Sequence, residues 1–334
     1  MGWFKKDPLQ IISFQSYGTD SHFFARGRTL EDESIDLESQ KIWHLAVNTW
    51  KRFKTDEIRN VGVNIKLPNG KILKTTTDAD GYFRVEANLK ALEALTNEQG
   101  WLAYELSYDD VNIKRSIQNE NRFPGELLIP ADTAQFGVAS DIDDTILQTG
   151  IVSLLKWRVI YNSIFKNAKN RTPLEGAADF YQQLHQGVSG ENANPIFYVS
   201  HSPWNLYRYL EVFLKQNNFP KGPILLRSLS NFLRKKPEGE KPQKQKEILD
   251  LLKTYPKLPF ILIGDSGEHD PDIYMEIAEE FPDRILAIYL RSVKHKKRML
   301  RVKGLVENYK TTAFLMVESS KQAIAHAREQ GFIK

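Results

Sequence analysis

The chain has 334 residues, a formal net charge of +4 and 41% hydrophobic residues, which is typical of a globular protein long enough for two domains. It contains no cysteine, which excludes disulfides, thiolate zinc sites and a cysteine nucleophile, and which fits the reducing cytoplasm. The start, Met1 to Pro8, has no apolar signal-peptide core, and no later run approaches the ~18 apolar residues of a membrane-spanning helix. We therefore expect a soluble, cytoplasmic protein.

The first part of the chain, residues 1–130, is predicted to be a small all-β sandwich. Two turn signals, Pro68 to Lys71 and Asp78 to Gly81, separate short apolar strands, and one helix is predicted from Leu37 to Phe53. The predicted strands are Ile11 to Tyr17, Phe23 to Thr29, Val61 to Leu67, Lys71 to Thr77, Tyr82 to Ala87, Leu102 to Tyr108 and Glu126 to Ile129. The segment Thr75 to Phe83 resembles the strand-turn-strand of transthyretin-like modules. Its aspartates favour turn formation over ion binding.

From residue 131 to 334, strands alternate with amphipathic helices, which predicts a doubly wound α/β domain with a mostly parallel sheet. The predicted strands are Phe136 to Ser140, Ile196 to Ser200, Ile224 to Leu226, Phe260 to Ile263, Ile285 to Leu290 and Phe314 to Val317. Between the first two, an apolar stripe beginning at Trp157 indicates a short helical flap rather than a separate cap domain.

The most informative motif follows the first of these strands, where Asp141 and Asp143 lie one residue apart. In an open parallel sheet, ligands bind outside the carboxyl ends of the strands, so Asp141 is placed as a nucleophile for phosphoryl transfer. Asp143 is placed to protonate a leaving oxygen while its backbone carbonyl faces a cation. A calcium-binding EF-hand loop is excluded because Thr145, Ile146 and Val152 occupy positions that need other residues. A structural turn rich in aspartate remains an alternative.

Two further strands also end in polar residues. Ser200 ends one and can hydrogen-bond a transferring phosphoryl group, while Asp265 ends the other and Asp270 follows on the same loop. Carboxylates, a carbonyl, waters and substrate phosphate are the ligands that Mg²⁺ prefers, so we expect Mg²⁺ as cofactor, held by Asp141, Asp143, Asp265 and Asp270. A lysine would neutralise the remaining negative charge, and Lys244 and Lys246 are both candidates.

These strand ends, in this order and with a lysine before the third, resemble the haloacid dehalogenase superfamily of aspartyl-phosphate enzymes. The motifs around Asp141, Ser200, Arg227 and Asp265, ending at Arg291, resemble the catalytic domain of the actin-patch-associated phosphatidate phosphatases. The resemblance implies Mg²⁺-dependent hydrolysis of phosphatidate to diacylglycerol. It implies the following roles: Asp141 nucleophile, Asp143 acid/base, Ser200 phosphate ligand, Lys244 charge-neutralising lysine and Asp265 metal ligand.

The substrate is less well specified than the chemistry, because Gln243 stands where the family pattern has His and His201 where it has Asn. The alternatives are a phosphatase acting on a soluble phosphate ester or phosphoprotein and a non-catalytic binding protein. Two basic runs, Arg234 to Lys246 and Arg291 to Lys303, are either solvated surfaces or sites for anionic groups. We expect the second run to allow peripheral contact with anionic membranes, and we expect no nucleic-acid partner.

Overall fold

The computed structural model describes residues 7–31, 57–109, 113, 115–142, 176–227, 240–266, 269–291, 304 and 312–334. Several features predicted from the sequence lie outside these residues: the helix from Leu37 to Phe53, the flap helix at Trp157, Asp143, and the basic run beyond Arg291. The chain divides into two units, Met1–Ala131 and Asp132–Lys334.

The first unit is a β-sandwich, as predicted. A three-stranded sheet has the order β1-β3-β6 and a five-stranded sheet the order β2-β8-β7-β4-β5. The strands are β1 (Leu9–Phe14), β2 (Ser16–Tyr17), β3 (His22–Glu31), β4 (Gly62–Lys66), β5 (Ile72–Thr76), β6 (Tyr82–Asn88), β7 (Trp101–Tyr108) and β8 (Phe123–Leu128). Apolar side chains from both sheets form one shared core. For example, the rings of Phe23 and Tyr104 meet edge to face with centroids 5.4 Å apart.

Two strands of this unit differ from the predictions for reasons that the structure explains. The strand predicted from Ile11 to Tyr17 is interrupted at Gln15, and its two parts join different sheets. The strand predicted to begin at Glu126 begins at Phe123 and includes Pro124. Pro124 is opposite Glu105 of β7, at a position where the alternation of the ladder bonds, set by the Ile129 N–H that donates to Gly100, directs the backbone nitrogen away from β7. On the other side β2 pairs only with Leu127 and Leu128, so proline is tolerated at this position.

The predicted turns are confirmed. In the turn from Asp78 to Gly81, the Asp78 carboxylate accepts hydrogen bonds from the backbone N–H groups of Asp80 and Tyr82, at 2.9 and 2.8 Å. Gly81 has a φ of +74°, a backbone conformation that glycine adopts without steric cost. This carboxylate therefore stabilises the turn itself, as the sequence suggested.

The second unit is an α/β fold built on a six-stranded parallel sheet with the order β11-β10-β9-β12-β13-β14. The strands are β9 (Gly137–Asp141), β10 (Ile196–Pro203), β11 (Ile224–Arg227), β12 (Phe260–Asp265), β13 (Ile285–Arg291) and β14 (Ala313–Val317). The helices within the described ranges are α1 (Ala177–Gln186), α2 (Tyr207–Gln216), α3 (Gln243–Thr254), α4 (Asp270–Glu280) and α5 (Ser320–Glu329). The six predicted strands and their parallel arrangement are confirmed.

Helices cover both faces of this sheet. On one face, Phe180 of α1 and His326 of α5 both contact the ring of Tyr289, with centroid distances of 5.5 and 5.6 Å. On the other face, helices α3 and α4 contact each other and pack on β10 and β12. Within the described ranges of the chain, none of the helices is both long enough and apolar enough to cross a membrane.

Candidate active site

The candidate site lies at the carboxyl ends of three adjacent strands. Strand β9 is in the middle of the sheet, with β10 on one side and β12 on the other. The chain runs outward from β9 to β10 and β11 and then returns to β12, so this is the point at which the strand order reverses. In open α/β sheets, ligands bind at such a position, outside the carboxyl ends of the strands.

The strand register brings the three predicted side chains to this edge. Asp141 is the last residue of β9, and its Cα pairs with that of Val199, the residue before Ser200 on β10. Asp265 is the last residue of β12. All three residues are buried. The register of β10 is irregular between Val199 and Pro203, and the N–H of Ser202 donates to Ser200 Oγ at 3.0 Å.

Of the two candidate lysines, Lys244 lies in the site. It is the second residue of helix α3. Its Nζ lies 3.1 Å from Asp141 Oδ1 and also forms an ion pair with Asp270 Oδ1. The side chains of Lys244 and Asp141 have no solvent exposure. Burying three charged groups is costly unless they are paired, and here one ammonium group bridges two carboxylates. Lys246, the other candidate, instead pairs with Glu240 at 2.6 Å and is 40% exposed.

Asp270 has contacts that the sequence did not predict. Besides its ion pair with Lys244, it accepts a hydrogen bond at Oδ2 from the backbone N–H of Asp265, at 3.2 Å. Both carboxylate oxygens of Asp270 therefore have protein partners. Asp270 thus holds both Lys244 and the end of β12, and its role as a metal ligand stays a prediction.

The glycine before Asp265 is required by this close approach. A Cβ added to Gly264 would lie 2.4 Å from Asp270 Oδ2 and 2.8 Å from Tyr274 Cε2, closer than a Cβ contact allows. The hydroxyl of Tyr274 donates to the carbonyl of Ile263 at 3.0 Å, which fixes the same strand end. Burial raises the pKa of Tyr274 well above its usual range, so this hydroxyl keeps its proton.

Tyr181 supports the end of β9, next to Asp141, from the opposite face of the sheet. Its hydroxyl lies 2.5 Å from Ser140 Oγ, and Ser140 donates to the carbonyl of Asp141 at 3.0 Å. Since the serine proton is directed to that carbonyl, Tyr181 is the donor in the first bond. Burial raises the pKa of Tyr181 above its ordinary value, which keeps the donor protonated. Sequence reasoning missed this residue, because a tyrosine on a helix gives no sign of which strand it contacts.

The described residues fit a magnesium ion in their donor chemistry. No group of three acidic, His or Cys side chains in the described ranges converges to form a metal site. Mg²⁺ does not require such a group, because it is typically held by one or two carboxylates together with waters and substrate phosphate. Asp141 and Asp265, buried at adjacent strand ends, are the two carboxylates that would hold it. Asp143, which the sequence also places here, lies outside the described residues.

Comparison with known proteins agrees with this site. Residues 136–292, which make up most of the second unit, match the family described as "Phosphatidate phosphatase APP1, catalytic domain". The matched range contains Asp141, Ser200, Lys244, Asp265 and Asp270. The family expected from the sequence motifs is therefore confirmed.

Two relatives are informative. The chain is 36% identical over 170 residues to Phosphatidate phosphatase APP1 of Saccharomyces cerevisiae, covering 51% of this chain and 27% of that protein. It is 30% identical over 190 residues to an uncharacterized protein of Schizosaccharomyces pombe, covering 55% of this chain and 30% of that protein. The chain thus spans less than a third of the length of either relative.

Among solved structures, the crystal structure of Bacteroides thetaiotamicron EndoBT-3987 with Man5GlcNAc product aligns with 76% of this chain and 71% of its own. The TM-score is 0.22 and the identity 10%, and a likeness this weak carries no argument about fold or function.

Proposed function

We propose that the α/β unit is a Mg²⁺-dependent phosphatase of the haloacid dehalogenase type that hydrolyses phosphatidate to diacylglycerol and phosphate. The observation that carries the proposal is the buried Asp141 at the central strand end, with Lys244 Nζ 3.1 Å away. The family match and the yeast relative, whose name states phosphatidate phosphatase, supply the substrate.

The proposed mechanism has two displacements. In the first, an oxygen of Asp141 attacks the phosphorus atom, the bond to the glyceride oxygen breaks, and Asp143 gives its proton to that oxygen. In the second, Asp143 removes a proton from water as the water attacks the phosphorus, which releases phosphate and regenerates Asp141. The rigid end of β9 holds the nucleophile in line with the leaving oxygen.

The charges of the site explain why a lysine and a cation are both needed. Asp141, Asp265, Asp270 and a phosphate dianion together bring about five negative charges, and Lys244 supplies one positive charge. A bound Mg²⁺ would supply two more and would stabilise the charge on the transferring phosphoryl group. In this arrangement Lys244 neutralises Asp141 on one side, while Asp270 holds the ammonium group in place.

A phosphatase panel with purified protein tests this function. We expect hydrolysis of phosphatidate in mixed micelles and of short-chain phosphatidate in solution, and we expect EDTA to abolish both. Preference for micellar over soluble substrate would support the membrane contact proposed for the basic run from Arg291 to Lys303. A protein that hydrolyses sugar phosphates or phosphopeptides but leaves phosphatidate intact would contradict the proposed substrate. No hydrolysis of any ester with Mg²⁺ present would contradict the proposed catalysis.

A further inference from the structure

The second unit contains a cavity that the proposed mechanism does not use. It has a volume of about 230 Å³ and lies on the α1 and α5 face of the parallel sheet. Its inner wall is formed by apolar and aromatic side chains, which include Phe180, Tyr181, Ile263, Tyr289 and Ala323. The site residues Asp141, Lys244 and Asp270 are not among those that line it.

The cavity reaches the candidate site through two strands. Ile263 lies two residues before Asp265 on β12, so both side chains point to the same face, roughly 7 Å apart along the strand. Arg291 lines the cavity too, and its Cα pairs with that of Asp265 across the two strands. The cavity therefore begins at Arg291, the strand partner of Asp265, and continues down the face of the sheet, while Asp265 itself does not line it.

The lining residues change in character along the cavity. Arg291, Glu318, Ser319 and Ser320, which lie at or after the carboxyl ends of β13 and β14, make the end nearest the site polar. Further from the site, two residues before the end of each strand, the wall consists of the Tyr289 ring and the aliphatic Ile263. A ligand that fits both ends has a polar or anionic group joined directly to an apolar chain.

Building on the proposed function, we propose that this cavity binds the first part of an acyl chain of the phospholipid substrate. A cavity of ~150 Å³ with an apolar lining binds benzene, so this larger one has room for roughly six to nine carbon atoms. It is smaller than the ~300–1,000 Å³ of pockets that enclose a whole small molecule, which fits a site for part of a ligand. The Arg291 guanidinium suits the ester and phosphate oxygens at the polar end.

Tyr181 connects the cavity with the nucleophile. Its ring lines the cavity, while its hydroxyl donates to Ser140, the residue before Asp141. Tyr181 therefore contacts both the cavity and the strand that ends at Asp141.

A chain-length series tests the inference. The kcat/KM values of dibutanoyl, dihexanoyl and dioctanoyl phosphatidate are measured in solution, below the concentration at which micelles form. The wild-type value is expected to rise with chain length. In Ala323→Leu, three added carbon atoms would occupy the cavity, and each methylene group that loses its site costs roughly fourfold in binding. The ratio of dioctanoyl to dibutanoyl kcat/KM should therefore fall about 10- to 60-fold.

The matched control is Ala327→Leu, one turn further along α5. Ala327 is as buried as Ala323 but is not a lining residue. This change disturbs the same helix outside the cavity and should keep the wild-type ratio within about twofold. Ala177→Leu fills the cavity from α1 and should repeat the loss, which keeps the test decisive if Ala323→Leu fails to fold.

The outcomes separate this inference from the function on which it rests. Wild-type hydrolysis of phosphatidate, with a chain-length ratio that both cavity-filling variants leave unchanged, would overturn the acyl-chain site alone. Equal losses in Ala323→Leu and Ala327→Leu would overturn it as well, because the effect would come from helix packing. Wild-type protein that hydrolyses p-nitrophenyl phosphate but no phosphatidate would overturn the proposed substrate and the acyl-chain site with it.

Discussion

The buried ion pair of Lys244 allows a quantitative prediction. In Lys244→Met the side chain keeps a similar length and loses its charge, which leaves Asp141 and Asp270 buried without the ammonium group. At the 3.1 Å separation of Nζ and Asp141 Oδ1, two unit charges attract by about 5 kcal/mol at an effective dielectric constant of ~20. Desolvation offsets part of this attraction. Removing one partner of a buried pair typically costs ~3–5 kcal/mol, which is the expected loss in unfolding free energy.

The measurement is urea denaturation at neutral pH, with phosphatase activity followed in parallel. Lys246→Met is the matched control, because Lys246 lies on the same helix and pairs with Glu240 while 40% exposed. Exposed pairs contribute ~0–1 kcal/mol, so this variant should lose less than 1 kcal/mol and keep its turnover. Equal destabilisation by the two changes, or full turnover in Lys244→Met, would refute the reasoning.

A double variant separates stability from chemistry. Adding Asp270→Asn to Lys244→Met removes one of the two carboxylates left without their cation, so part of the lost stability should return. Turnover should remain absent, because Asp141 still lacks the positive charge that neutralises it. Recovery of turnover in the double variant would show that Lys244 has only a structural role.

Three further predictions concern the other site residues. Gly264→Ala should lower the unfolding free energy by ~1–3 kcal/mol and reduce kcat, because the added Cβ would collide with Asp270; urea denaturation and rate assays test this. Asp143→Asn should slow the release of a glyceride alcohol by ~10²- to 10⁴-fold and of p-nitrophenolate far less, and equal losses on both substrates would exclude acid catalysis. Asp265→Ala should raise the Mg²⁺ concentration needed for half-maximal activity, and Ca²⁺ should inhibit the wild type; an unchanged Mg²⁺ titration would remove Asp265 from the metal site.

The parts of the fold that the sequence predicted best are those set by local patterns. Strand β12 has a continuous apolar run and ends at Gly264 and Asp265, which makes both its identity and its functional end visible in the sequence. The sandwich strands were predicted from their apolar runs and turn residues. Two strands were predicted with wrong bounds. At Gln15 the chain passes from one sheet to the other, and at Pro124 strand β8 has a partner on one side only. Neither feature is visible in the local sequence.

The residues at the strand ends of the site could be predicted from the sequence, whereas the contacts that support them could not. Asp141, Ser200 and Asp265 follow apolar strands, and parallel pairing places them together. The partners of Asp270 depend on the direction of helix α4 relative to β12. The hydrogen bond between Tyr181 and Ser140 depends on how α1 packs against β9. The family resemblance indicated Lys244 rather than Lys246. Helix α3 shows the physical reason that only Lys244 pairs with Asp141, since residues two positions apart on a helix point in different directions.

The most direct test of the central claim is to trap the phosphorylated enzyme. Wild-type protein is mixed with phosphatidate carrying a radioactive phosphate, quenched in acid within one turnover, digested and mapped by mass spectrometry. We predict that the label lies on the peptide containing Asp141, is released by hydroxylamine as expected for an acyl phosphate, and is absent from Asp141→Asn. Turnover of phosphatidate by Asp141→Asn at the wild-type rate, or label on another residue, would contradict the account.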